Sequence, residues 1–156
     1  MGATRNDLPD NTRKAMIALL NARLADAIDL RLSIKQAHWN VKGPNFIALH
    51  ELFDQIQARV DTFVDDIAER AVMLAGVAEG TAQVAVKNST LTPYPVNLTD
   101  EKEHLKAVAD RIAAFGKNVR AAIDASDEAG DKDTADLFTG VSRQMDKDLW
   151  FIEAHL

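Results

Sequence analysis

The chain has 156 residues, 47% of them hydrophobic, and 24 acidic against 18 basic side chains give a formal charge of −6. That length makes one domain with a substantial core, and the acidic balance argues against a broad nucleic-acid-binding face. With no cysteine there is no disulfide framework, thiolate zinc site or iron–sulfur cluster, and no apolar run approaches the roughly 18 residues of a membrane span.

Residues 1–11 read as an N-terminal tail without the apolar stretch of a secretory signal, so the default compartment is the cytoplasm. Its neighbourhood holds Arg5, Arg13 and Lys14 against Asp7 and Asp10, a thin electrostatic handle. After Pro9, Asp10 or Asn11 can cap a first helix over 12–40, where Ile17, Leu20, Leu24, Ile28, Leu32 and Ile34 follow the helical period. Lys42-Gly43-Pro44 reads as a tight turn that makes the next helix, over 44–76, an antiparallel neighbour. That second helix carries Ile47, Phe53, Ile56, Val60, Phe63, Val64, Ile67 and Val72 toward Gly76. A crossover over 77–98 follows, with a short helix near 81–86 expected to lie on a dimer contact. It can run the length of the bundle, about 45 Å for a helix of about 30 residues. Thr99 is the expected cap of a third helix, 99–129, ended by Gly130, and Asp131 the cap of a fourth, 131–155. The predicted fold is therefore all-α: a four-helix bundle of ferritin-like topology, with two short hairpins and one long crossover.

Two histidines and three carboxylates stand out: His38, His50, Asp54, Asp65 and Glu69. Stepping about 100° per residue along the second helix puts the last four within an arc of about 100°. Along the axis, at about 1.5 Å per residue, Asp54 and Asp65 are about 16 Å apart, too far for ligands of one ion. One chain cannot close the site. The midpoint of His50 and Glu69 is also the midpoint of Asp54 and Asp65, between Arg59 and Val60. A two-fold axis there sets His50 against Glu69, and Asp54 against Asp65, of a second copy, giving two equivalent sites per dimer. His38 and His50 are equidistant from Pro44 and should stand level. Imidazole with carboxylate suits iron, zinc or manganese.

Other residues invite plainer readings. His104 forms a Glu-x-x-His pattern with Glu101 but lacks a counterpart, and reads as an exposed first-turn residue; His155 reads as an end-of-helix residue. Trp39, beside His38, reads as a packing aromatic, with a secondary role as an electron donor that traps a radical near an oxidising iron. Trp150 reads as a core or interface residue. Asp127, Glu128, Asp131, Asp133 and Asp136 are caps and solvated charge around one turn or, repeated about a symmetry axis, a negative funnel for divalent cations.

The segments Lys35-Gln36-Ala37-His38-Trp39-Asn40-Val41-Lys42-Gly43-Pro44, His50-Glu51-Leu52-Phe53-Asp54 and Asp65-Asp66-Ile67-Ala68-Glu69-Arg70 resemble the Dps family of miniferritins, the DNA-binding proteins from starved cells. The resemblance covers nearly the whole chain, including Gly130 to Asp136 and Leu149-Trp150-Phe151, and all five positions of the family's ferroxidase signature are filled. It implies a hollow twelve-subunit shell of tetrahedral symmetry. It implies that His38 of one subunit, with Asp65 and Glu69 of its partner, holds a first Fe2+, and that His50 and Asp54 help hold a second, looser iron or its bridging water. Hydrogen peroxide would be the preferred oxidant, a ferric oxyhydroxide mineral the stored product, and Asp131 and Asp136 with Asp127 the lining of a pore on the three-fold axis. DNA-condensing members carry several lysines in a mobile tail, which this chain lacks, so DNA binding is expected to be weak or absent. The alternatives are a nucleoid-compacting protein whose metal site is secondary, and a zinc or manganese buffer without turnover.

Overall fold

Proline has no N–H to give to a preceding turn, so it suits a helix start. In the computed structural model, which describes residues 1–156, Pro9 stands before α1 (Asp10–Asn40). Neither Asp10 nor Asn11 caps this helix; Asp10 lies inside it and pairs with Arg13 one turn on. Helix α1 packs against α2 (Phe46–Met73), α3 (Ala82–Asn88) and α4 (Glu101–Glu128). Cover from three neighbours buries more than one stripe, including Leu20, Leu24, Ala25, Ala27, Ile28, Leu30 and Ile34. Leu32, which the single-stripe pattern places inside, is exposed, and Leu30 takes the inward position.

Helix α2 starts two residues later than the sequence pattern indicates, because Gly43 and Pro44 stay in the turn, and it buries Leu49, Phe53, Ile56, Val60, Ile67 and Ala71. Its end departs from expectation. Ala75, not Gly76, takes the left-handed conformation, with φ of 66°. Ala75 N–H donates to Val72 O and Gly76 N–H to Ala71 O, the bond pair that closes a helix around a left-handed residue. Gly76 is required for space instead: a Cβ there would lie 2.7 Å from Ile17 Cγ2 and 2.9 Å from Ala71 O.

The crossover is laid along α1. Near its start, Asn21 Nδ2 donates to Val77 O and Asn21 Oδ1 accepts from Glu79 N–H, each at 2.9 Å. Thr81 caps α3, Ser89 Oγ donates to Asp29, and the fully buried Asp26 carboxylate accepts from Thr90 N–H and Oγ while pairing with Arg23. Those partners offset the cost of burying the charge. At the far end, Lys42 N–H donates to Thr99 O at 2.7 Å. Residues of α1 thus hold both the start and the middle of the crossover, and Lys42 in the turn holds its end, which delivers α4 beside the α1–α2 turn.

Asp100, rather than Thr99, caps α4, accepting from the N–H groups of Lys102 and Glu103. Gly130, at φ of 82°, ends it, and Asp131 caps α5 (Lys132–Glu153) through Thr134 N–H. Contacts of α1 with α2 and α4, and of α5 with α4 and α2, complete the all-α, ferritin-like bundle. His104 is not the exposed residue its place in a first turn suggests. It is fully buried under the end of the crossover. Its Nε2–H donates to Leu98 O at 2.9 Å, and its Nδ1 accepts from the Tyr94 hydroxyl at 2.6 Å. Burial pushes its pKa below the ordinary imidazole value and keeps the ring neutral.

Candidate metal centre

Helices α1 and α2 meet at a turn of five residues, 41 to 45, and the two histidines face each other across it. The imidazoles of His38 and His50 stack with centroids 3.7 Å apart and planes 16° from parallel. Each ring bonds to the other residue's backbone: His38 Nδ1 to His50 O at 2.6 Å, His50 Nδ1 to His38 O at 2.7 Å. Carbonyl oxygens only accept, so both Nδ1 atoms carry the proton. Both Nε2 lone pairs are left free. Metal-binding histidines are commonly fixed in this way, by an outer hydrogen bond that sets tautomer and ring orientation.

Asp54, one turn beyond His50, brings a carboxylate oxygen to 4.0 Å from His38 Nε2. Two bonds of about 2.1 Å span up to about 4.2 Å, so both atoms can reach one ion. Lys35, one turn before His38, hydrogen-bonds to the same carboxylate oxygen. That bond is the main reason Asp54 sits below its ordinary pKa; desolvation opposes it, and smaller charge effects from His38, Lys35 and His50 add to the lowering. Lys35 lies in the motif that carries the family resemblance, yet its partner across the hairpin is not evident from sequence; its place three residues before His38 on one face is the available signal.

Asp65 and Glu69 lie farther along α2 and are exposed. Asp65 borders an open cleft of about 500 Å³ with Leu24, Ile28, Arg31 and Asp61, and Glu69 lines a groove of about 320 Å³ between α2 and α5 with Asp66, Arg70 and Asp136. Within one chain no three histidine or carboxylate side chains converge on a point able to hold a metal ion. The midpoint of α2 falls between Arg59 and Val60, the point about which the four helix residues are symmetric.

Of the acidic residues assigned to a pore, Asp131 is spent inside the chain. It is buried, pairs with Arg70 at 2.8 Å, and accepts from Thr134 N–H at 3.0 Å and from Thr134 Oγ at 2.5 Å. It is the helix cap that its place before α5 suggests, with its carboxylate oxygens already taken within the chain. Asp127 and Asp136 are exposed, Asp127 paired with Lys132. Trp39 and Trp150 are 65% and 62% exposed, so neither packs into the core of this chain, which leaves the interface alternative for Trp150, and Phe46 and Ile47 are exposed beside the same turn as Trp39.

A family model described as a ferritin-like domain matches residues 17–156. The chain is 49% identical over 153 residues to the DNA protection during starvation protein of Agrobacterium fabrum, covering 98% of this chain and 94% of that protein. The protein of the same name from Mycolicibacterium smegmatis is 32% identical over 149 residues, covering 96% of this chain and 81% of the relative. A solved structure of Mycobacterium smegmatis Dps superposes with a TM-score of 0.95 at 31% identity, covering 100% of this chain and 94% of that one.

Proposed function

Because the chain belongs to the ferritin-like domain family, and within it to the Dps proteins, we propose that it is an iron-sequestering ferroxidase that protects DNA by consuming Fe2+ and hydrogen peroxide. The observation that carries this reading is the stacked His38–His50 pair, with both Nε2 atoms free beside Asp54. Two-fold pairing brings Asp65 and Glu69 of a second copy to these imidazoles, and twelve copies form the cage. His38 with the second copy's Asp65 and Glu69 holds the first Fe2+; His50 and Asp54 hold a looser one, Asp54 exchanging Lys35 for the metal.

Two Fe2+ ions each give one electron to hydrogen peroxide. The O–O bond breaks, two protons are taken up, and two Fe3+ and two water molecules result, so no hydroxyl radical leaves. Carboxylate oxygens bind Fe3+ more strongly than Fe2+, which favours the electron transfer. Few protein ligands leave coordination positions open for peroxide and let the product move on to an oxyhydroxide mineral. Exposed Trp39, next to His38 in the chain, is a donor for a stray oxidising equivalent. Asp127 and Asp136 are the remaining candidates for a cation-attracting pore.

Weak or absent DNA binding and a cytoplasmic place complete the proposal. Gly2 N–H donates to Ala75 O at 2.8 Å, which docks the start of the chain beside Ile17 and Asn21, and Arg13 is buried and paired with Asp10. Arg5 and Lys14 are left to meet phosphates, against a negative shell. No helix is long and apolar enough to cross a membrane.

The test is anaerobic Fe2+ with added peroxide, followed by ferric absorbance. Asp65→Asn and Glu69→Gln should lose rapid oxidation while keeping the assembly intact. Wild-type kinetics in either variant would refute the ligand assignment.

A further inference from the structure

The Glu101-x-x-His104 pattern has no place in the metal centre, yet both residues are buried at the start of α4, and every polar atom of the two side chains is engaged. Glu101 Oε2 accepts from Asn45 N–H and Oε1 from Asn45 Nδ2, each at 2.9 Å. Asn45 precedes α2 without capping it through its own side chain, and the Glu101 carboxylate binds the Asn45 N–H at the positively polarised helix end, as the glutamate of a capping box binds the residue before its helix. Gly43 has φ of 155°, and a Cβ on it would overlap that carboxylate. The turn is shaped around Glu101.

The turn also determines where the two imidazoles meet. His38 and His50 exchange bonds with each other's carbonyls only if α1 and α2 keep one axial register, and a slip of one residue would move a carbonyl by about 1.5 Å and break the exchange. Beyond the turn's local helix-end bonds, its polar restraints come from the α4 start: Glu101 on Asn45, and Thr99 O accepting from Lys42 N–H. His104, one turn along, holds Leu98 O and Tyr94 and so steadies the segment that presents Thr99 and Glu101.

We propose that Glu101 is a positioning residue for the metal centre: its clamp on Asn45 fixes the α1–α2 turn and thereby the free Nε2 atoms of His38 and His50. The proposal rests on the metal-centre reading above and adds to it a third helix.

Co2+, whose visible absorption reports its ligands, is the probe. Glu101→Ala should weaken Co2+ binding by about tenfold, the lower end of what loss of an outer partner of a metal-bound histidine does, and should change the band shape. Glu103→Ala removes the same charge from the same turn of α4 without touching Asn45, and should titrate as wild type. Glu101→Gln keeps an acceptor for Asn45 N–H and should recover most of the affinity. If Glu101→Ala does not assemble, Asn45→Ala, which deletes one of the two bonds, should weaken binding by about threefold. Equal titration of the Glu101→Ala and Glu103→Ala proteins, or of Asn45→Ala and wild type, overturns the proposal alone. A wild type that takes up no Co2+ overturns the metal-centre reading and this proposal with it.

Discussion

Replacing Lys35 by Met keeps the aliphatic stem and removes the ammonium that occupies Asp54. This pair lies near the surface, with side chains 28% and 50% exposed. Pairs of that kind are coupled by about 0.2–1 kcal/mol, since water screens them and two flexible chains must be held in place. A cation binding at Asp54 has to displace this partner, so Lys35→Met should tighten binding at the looser position by about 1.4- to 5-fold at neutral pH. The gain should shrink with added salt, which already weakens the pair in wild type. Its pH dependence follows from the direction of the Asp54 shift. In wild type the carboxyl lies below its ordinary 3.8, chiefly through the Lys35 hydrogen bond, and the variant moves it back up toward that value. Both proteins therefore keep Asp54 ionised well above its ordinary value of 3.8, and the ratio of affinities should be flat between about pH 6 and pH 8. Calorimetric titration with Co2+ at two salt concentrations measures all three features. A loss of affinity, a gain beyond about tenfold, or a ratio that varies with pH would refute the view that Lys35 acts only as a weak, screened competitor for Asp54.

The end of α2 and the buried histidine of α4 yield sharper tests of the fold. Ala75→Gly should raise the urea midpoint, worth about 1 kcal/mol at fixed protein concentration, by relieving a left-handed alanine. Gly76→Ala should lower it by more than about 1 kcal/mol, because the new methyl meets Ile17 at 2.7 Å; the same sign for both variants would contradict the helix ending described. His104 has a folded pKa below the unfolded imidazole value of 6.5. Its contribution is thus fully present above that value and lost as pH falls from there toward the folded pKa. Wild type should lose more stability than His104→Gln across that acid interval, as read from urea midpoints in a pH series, and parallel curves would refute the assignment.

How far the sequence was legible depends on the distance between partners. His38 and His50 are related by a turn of fixed length, so their equal spacing from Pro44 is enough to predict that they stand level, and they stack at 3.7 Å. The two helical hairpins and the crossover with its short helix follow from local periodicity and turn residues for the same reason. Leu32 and His104 are misread for other reasons: three neighbours on α1 select a different set of inward positions from the single stripe, and the segment Tyr94 to Leu98 folds back over His104 instead of leading away from it, while the cap role of Asp131 is legible but its Arg70 partner, 61 residues away on α2, is not. Glu101 is a second case of this kind, since its partner Asn45 lies 56 residues away and nothing local marks the pair. Ala75 is different in kind: glycine is the usual left-handed residue, and here steric pressure from Ile17 and Ala71 claims the glycine one position later.

The claim that the iron site is shared between two copies is tested most directly by complementation. His38→Ala and Asp65→Asn, each inactive alone in peroxide-driven Fe2+ oxidation, are co-assembled in equal amounts. A dimer with one subunit of each kind regains one intact site, from the unaltered His38 of one and the unaltered Asp65 of the other, and loses the second. Random pairing should restore about one quarter of the wild-type burst, since about half the dimers are mixed and each has one of two sites. Recovery near that level is the result predicted. Mixed assemblies as inactive as either parent would contradict a shared site.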